Sequence, residues 1–394
     1  MKKKWKKLLF CVVFFFSCLL CQPSTGLQAA INQNSIEQKK DMEQEKDYLD
    51  EMMGEMDFSE LDALMGEKTT FSDVVEELLN EGILGFDYAK LLAWAKDALC
   101  FEVKVNQRLL VEVVLLAIGF SILRNFSNAF RTAYVSQLCF LLVYFVLAVL
   151  LLQSFLAFRD IVSDTLNDSV DFMRALVPVY GIAMVFSSGV ATSAGFYQIA
   201  FLAVYLIQWL FLTILLPAIH VYVILELFNH FFEDEKFQNL TELLKGFICW
   251  GMKIAGIVVL GLNVVQNLIS PAKDRLLNGT VSKAAAVIPG IGNAVNGVSE
   301  LLLGSGILIK NCVGAAALFL LILLGMIPVL KLLCMVFFYK LAAAVTEPMT
   351  DKRIAGCLKG MAEGGVLYLK LIVYCLVLFL LTIALTTAAS SYIY

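Results

Sequence analysis

Charge is scarce in this chain: Asp, Glu, Lys and Arg make up 16% of its 394 residues, against 60% hydrophobic. Histidine is scarcer still, with only His220 and His230. No G-x-x-x-x-G-K-[ST] run is present, and Pro289-Gly290-Ile291-Gly292 has no following lysine, so no phosphate loop is expected. There is no H-E-x-x-H. Glu226 and His230 stand at i, i+4, and a metal site needs more ligands than that pair. They read as interfacial polar residues at the tail of an apolar span. Serines cluster at Ser187-Ser188-Gly189 and Thr192-Ser193 without a histidine beside them, which argues against nucleophilic catalysis. No enzyme activity, cofactor or nucleic-acid partner is expected, and any ATP-driven step has to come from another protein.

What the chain has is apolar length. Its mean hydropathy is +0.80, more apolar surface than a soluble domain of this size can bury. Several runs reach the ~20 residues that cross a bilayer as a helix. The fold class is therefore an all-α polytopic membrane protein. Five lysines at positions 2–7 precede an apolar run from Leu8 to Leu20, and a polar stretch ends at Ala29-Ala30. This is the layout of a secretory signal over residues 1–30. Cys18-x-x-Cys21 lies inside or at the edge of that signal. The ten cysteines read as small apolar residues, neither a disulfide frame nor a metal site.

Residues 31–105 form an acidic tail with 19 Asp/Glu and 7 Lys, a net charge of −12. Ser72 is a candidate cap for a helix carrying Val74, Val75, Leu78 and Leu79 and ending near Gly82. Asp87 is the candidate cap of another. The tail reads either as a docking surface for an exported partner or as a solvated segment with surface helices.

Eight spans follow: 109–123, 134–158, 175–195, 199–232, 246–269, 287–309, 312–345 and 366–389. The fourth and seventh are broken at Pro217 and Pro328. Spans three and six are rich in Gly, Ser and Thr. Such segments either pack helices closely or line a cavity, which makes Pro178, Ser187, Ser188, Gly189, Thr192, Ser193, Gly195, Pro289, Gly292 and Gly306 a candidate conduit or packing seam. Glu112, Lys253, Lys331 and Lys370 are charges in apolar surroundings. Lys331, three residues after Pro328, is the candidate pore charge, with snorkelling to the interface as its plainer role.

The third and sixth spans also open a duplication. Leu166-Asn167-Asp168-Ser169-Val170 and Leu277-Asn278-Gly279-Thr280-Val281 lie 111 residues apart, and the same offset pairs Pro178 with Pro289, Gly181 with Gly292, Gly195 with Gly306 and Pro217 with Pro328. Nine of thirty ungapped positions from 166 are identical. This divides the membrane part into two first spans (106–160), repeat 1 (161–270) and repeat 2 (271–390). Basic residues favour loops 124–133, 270–286 and 340–363 over 159–174 and 233–245. Three crossings per copy then imply an inverted pair. Re-entrant or hairpin spans would make the copies parallel instead.

The residues that carry a family likeness are Leu176-Val177-Pro178, Val287-Ile288-Pro289-Gly290-Ile291-Gly292, Ile309-Lys310-Asn311-Cys312-Val313-Gly314 and, above all, Tyr339-Lys340-Leu341-Ala342-Ala343-Ala344 with Glu347-Pro348-Met349-Thr350-Asp351-Lys352-Arg353-Ile354. They resemble the stage III sporulation protein AE family. The resemblance implies a multi-pass, permease-like component of the complex that links mother cell and forespore by a channel. Its implied partners are ring-forming membrane proteins, a separate cytoplasmic ATPase and a forespore channel protein. Its implied place is the mother-cell membrane around the forespore, in the lipid bilayer, with the acidic tail exported. A structural scaffold without a conduit of its own, or an independent secondary transporter, are the alternative roles.

Overall fold

Every regular element among the described residues is helical, as befits a backbone that has to satisfy its own polar groups away from water. The computed structural model describes residues 52–65, 70–81, four positions between 111 and 119, and 133–188, 190–231, 237–285, 292–348 and 352–389. These all belong to the unit that runs from Tyr48 to Tyr394. The signal, the helix expected from Asp87, and Glu112 lie outside the described residues.

Two short helices come first, α1 (Ser59–Met65) and α2 (Phe71–Glu81). The expected helix of Val74, Val75 and Leu78 is α2, but its cap is Thr70, two residues earlier. The Thr70 hydroxyl oxygen accepts from the Asp73 N–H at 3.2 Å. Ser72 instead binds the Asp62 carboxylate through its N–H and hydroxyl, at 3.1 and 2.9 Å. That link ties α2 to α1. Phe71, Val74 and Val75 are buried, and α2 packs on a long membrane helix, α7 below.

Long helices make up the rest: α3 (Ala133–Ser188), α4 (Val190–Gln208), a π-helix (Trp209–Leu215), α5 (Leu216–Phe231), α6 (Gln238–Ala285), α7 (Gly292–Thr346) and α8 (Lys352–Ala389). Five stretches of the described residues are long and apolar enough to cross a membrane, where eight were expected. Spans two and three are one helix, α3; spans six and seven are another, α7; span one lies mostly outside the described residues.

The stretch 159–174, expected as an outer loop, is the middle of α3. It contains neither Gly nor Pro, and its apolar residues recur at helical spacing. Val162, Leu166, Val170, Phe172 and Met173 are buried, while Arg159, Asp160, Asp164, Asp168, Asp171 and Arg174 are exposed on the other side. Average hydropathy hides such a segment, whereas its 3.6-residue period exposes it.

Near the prolines the helices adapt rather than stop. The π-helix lies immediately before Pro217, where a proline gives no N–H and presses on the carbonyl four residues back. A wider turn takes up that misfit. Pro178 and Pro328 lie inside α3 and α7, both assigned as unbroken helices.

Contacts fix the helix directions. Across α8, Gly360 faces Glu226 and Gly356 faces His230, so α5 runs against α8; Gly314 faces Thr387 and Gly365 faces Val336, so α7 does too. The Asn263 amide donates to the Thr382 hydroxyl at 3.1 Å, and Lys245 donates to Glu363, so α6 runs with α8. Phe158 stacks on Tyr368 and the Tyr180 hydroxyl meets Thr387 at 2.7 Å, so α3 also runs with α8. The five crossings therefore alternate, with α8 packed against α3, α5, α6 and α7.

These directions bear on the duplication. The 111-residue offset pairs α4–α5 with α7, and the later match pairs α6 with α8. Both members of each pair run the same way. Those two paired segments run in the same sense, while 181–188 of α3 and the matching 292–299 of α7 run in opposite senses; the count of three crossings per copy had divided α3 and α7 in two. The described parts of 233–245 and 340–363, expected on opposite sides, meet at one end of the bundle through Lys245–Glu363, beside the contact of His230 with Gly356. The first copy turns back between Ser188 and Val190, while its counterpart around residue 300 runs straight on inside α7.

The α8 core side chain Ile372 is 0% exposed and Ile257 on α6 is 72% exposed. Ile372→Ala is expected to lower stability by about 2–5 kcal/mol, as in other core truncations. Ile257→Ala is expected to leave the melting temperature in detergent close to that of the parent chain. Equal shifts in thermal melts of the two purified variants would contradict the central position of α8.

Candidate functional site

Helices approach closely where side chains are small, and the expected seam contains one such place. A Cβ on Gly306 would stand 2.6 Å from the Phe186 carbonyl oxygen of α3. The neighbour is backbone and cannot swing aside, so only glycine fits. The Ser193 hydroxyl donates to the Gly181 carbonyl at 2.6 Å and closes the α3–α4 turn. The Ser187 hydroxyl donates back to the Met184 carbonyl, at 3.4 Å. Gly195 is half-buried on α4, and Gly292 opens α7. Gly189 and Pro289 lie outside the described residues, as do the side chains of Ser188 and Thr192. Pro178 is half-buried in α3. The structure thus brings Ser187, Ser193 and Gly306 to one end of the bundle, where α3, α4 and α7 meet.

The expected kink and charge residues do not join them. Pro217 is exposed, and Pro328 and Lys331 are half-buried in α7, further along the bundle. Lys253 is exposed on α6 between Trp250 and Ile257, which are 61% and 72% exposed. A single long lysine there can run its chain along apolar surface.

Three features were not anticipated. Gly356, Gly360 and Gly364 form a row at i, i+4, i+8 on α8. A Cβ on Gly356 would meet His230 Nδ1 at 2.8 Å and one on Gly360 would meet Glu226 Cγ at 2.6 Å; Gly364 sits against Val223. This is the small-xxx-small spacing of close membrane-helix contacts, readable in the sequence as Gly-x-x-x-Gly-x-x-x-Gly. Under it lies a polar cluster. His230 Nε2 stands 3.5 Å from Glu226 Oε1, the Tyr222 hydroxyl lies 3.5 Å from Glu363 Oε2, and Lys245 donates to the same Glu363 oxygen. Glu226 and His230 therefore face inward between α5 and α8, and not outward as interfacial residues.

Lys310 is the second feature, fully buried in α7. It stands between two expected spans, which hid it among loop residues. The third is the charged face of α3. Phe158 lies against Tyr368 and Tyr180 against Thr387, so residues 159–174 run alongside the apolar middle of α8. Neighbouring helices are mostly apolar outside at this level, with the single exposed Lys253 on α6 among the described residues. Exposed side chains include Tyr205 and Trp209 before α5, and Phe247, Trp250 and Ile257 on α6. The charged face pairs mainly with itself: Arg159 Nη2 lies 2.8 Å from Asp160 Oδ1 and Arg174 Nη1 3.3 Å from Asp171 Oδ1.

No group of three or more His, Cys, Asp or Glu is placed to hold a metal ion among the described residues. Cys249, Cys312, Cys334, Cys357 and Cys375 are free thiols.

Such an arrangement defines an all-α, membrane-embedded protein built from five alternating long helices. The stage III sporulation protein AE family model matches residues 69–390, and the chain belongs to that family. Stage III sporulation protein AE of Bacillus subtilis (strain 168) is 28% identical over 292 residues, 73% of each chain. No solved structure matches. The chain is accordingly a sporulation-related membrane protein, and its family implies membership in a sporulation protein complex; the family is not one of known enzymes.

Gly304 and Gly306 separate packing from helix propensity. A Cβ on Gly304 meets nothing within 4 Å, so Gly304→Ala is expected to be neutral or to stabilise by up to about 1 kcal/mol. Gly306→Ala forces α7 off the α3 backbone and is expected to cost about 1–3 kcal/mol. Thermal melts of the two full-length variants check the difference; if Gly306→Ala matches Gly304→Ala, the close approach is not real.

Proposed function

We propose that the chain is a non-enzymatic, multi-pass subunit of the sporulation channel complex between mother cell and forespore, and that the charged face of α3 borders its aqueous path. One observation carries the reading. Six charged residues, Arg159, Asp160, Asp164, Asp168, Asp171 and Arg174, are exposed at mid-height of a bundle whose neighbouring outer surface is mostly apolar. A charge facing hydrocarbon costs at least about 2.5–3.5 kcal/mol for Asp or Arg near the bilayer centre. Repeated along one face, that cost is avoided only by water or by polar partners. The path therefore lies along α3 rather than through the small-residue seam, whose Gly306 is filled against backbone.

The family's implied setting supplies the rest of this reading: ring-forming membrane proteins, a separate ATPase and a forespore channel protein as partners, and the mother-cell membrane around the forespore as the location. The scaffold alternative draws on a different observation, the docking of α2 on α7. That contact joins the acidic tail to the membrane bundle and gives the tail a fixed base for recruiting other subunits.

Asp164→Cys and Asp168→Cys are expected to react with a membrane-impermeant thiol reagent in sporulating cells, and Ile257→Cys is not. Asp164→Lys combined with Asp168→Lys is expected to block small-molecule passage into the forespore while the subunit still assembles. Normal passage through the double-lysine variant, with assembly lost only on removal of the tail, would leave the scaffold role standing in place of the conduit.

A further inference from the structure

Arg159 follows a turn of α3 in which Phe155 and Phe158 reach the bundle interior. Phe155 meets the His220 ring edge-on with centroids 5.6 Å apart, and Phe158 stacks on Tyr368 at 6.1 Å. His220, from α5, and Tyr368, from α8, are themselves neighbours, with ring centroids 5.9 Å apart. Tyr368 is 0% exposed. Its hydroxyl and His220 Nε2 are both buried, and neither has a hydrogen-bond partner among the described residues. Arg159, the residue after Phe158, is 45% exposed on the charged face of α3.

Two buried polar atoms left unpaired on neighbouring rings are costly: each loses about 1–3 kcal/mol if it is dry. Buried polar groups in native proteins are met by protein or by ordered water, and a buried water typically joins two to four such groups. The His220 and Tyr368 rings come from different helices and lie with centroids 5.9 Å apart. One residue along α3 from Phe158 is Arg159, and the two phenylalanine rings that touch the pair offer no hydrogen bond.

We propose that a water-filled inlet opens on the charged face of α3 beside Arg159 and ends at His220 and Tyr368, where it holds at least one water between the imidazole nitrogen and the phenol. The site takes a small hydrogen-bonding guest, water in the resting chain. It gives the path at the α3 surface a side branch reaching α8. The inlet rests in part on the reading that the α3 face borders water.

Two measurements on the full-length chain test it. In membrane vesicles, His220→Cys is expected to be modified by a small water-soluble methanethiosulfonate, with sites resolved by mass spectrometry. Val221→Cys, although 50% exposed, faces lipid and is expected to react at least about tenfold more slowly, a factor equivalent to about 1.4 kcal/mol of barrier. The order is the reverse of what exposure alone dictates. Asp164→Cys serves as the reference for the outer face. If Asp164→Cys reacts and His220→Cys does not, the inlet fails and the path along α3 stands. If Asp164→Cys is inert as well, both fail. The second measurement avoids labelling. Tyr368→Phe lowers the melting temperature if the hydroxyl holds water, and raises it if the hydroxyl is dry, since a buried unpaired group is then removed. A raised melting temperature overturns the proposal.

Discussion

The bundle depends on how near α8 can come to its neighbours. Inside a membrane the helices have no water-driven reason to associate, so contact has to come from packing and from polar links between them. Without Cβ atoms at Gly356, Gly360 and Gly364, α8 lies directly against Val223, Glu226 and His230 of α5. Each glycine costs about 1 kcal/mol of helix propensity relative to alanine, and the close contact offsets it. The same approach covers the Glu226–His230 pair, while Lys245 of α6 and Tyr222 of α5 meet Glu363 of α8. Glu226 and His230 are 15% and 16% exposed, while Lys245 and Glu363 are 42% and 36% exposed, so the cluster runs from the helix contact out to the surface. The glycine row and the polar cluster are therefore one device: the first permits the contact and the second gives it register across three helices.

The membrane class, the helical fold and the helix over 71–81 were legible from composition and spacing, because they depend on short-range properties of the chain. The number of crossings was not. Charge between residues 159 and 174 looked like a loop, yet Val162, Leu166, Val170 and Met173 keep the buried face of one helix continuous. A similar division separated span six from span seven and placed Lys310 between them, although it is buried within α7. Helix direction could not be read at all, since it follows from those divisions. The close approach at Gly306 was visible only as smallness: sequence shows that a residue lacks a side chain, not what occupies the space. The cap of α2 moved from Ser72 to Thr70 because Asp62, ten residues upstream, claims the Ser72 hydroxyl.

The helix directions change how the small-residue segments relate. In an inverted pair they would lie toward opposite ends and could frame a midpoint, as in many transporters. Here the α3–α4 turn and the first described part of α7 are at the same end, joined by the contact of Gly306 with Phe186. That end is a packed corner. Mid-height on the outer surface belongs instead to the charges of α3. Aligned with Asp164, Asp168 and Asp171 are Arg275, Gly279 and Ser282, so the acidic run is not repeated at the 111-residue offset.

That surface also limits what the chain can do alone. Its order of charges is basic at Arg159, acidic at Asp160, Asp164, Asp168 and Asp171, and basic again at Arg174. Against a second copy related by an axis along the membrane normal, the helices run parallel and like charges meet. Against an antiparallel copy centred on the stripe, Arg159 would face Arg174. Neither arrangement is complementary, and like charges brought together are destabilising. Lipid cannot satisfy the face either. Direct pairing of α3 with itself is thus disfavoured in both senses, which leaves water or a different chain bearing opposite charge. Water or an oppositely charged surface is what the charges of this face call for, in keeping with a family whose members belong to a sporulation protein complex.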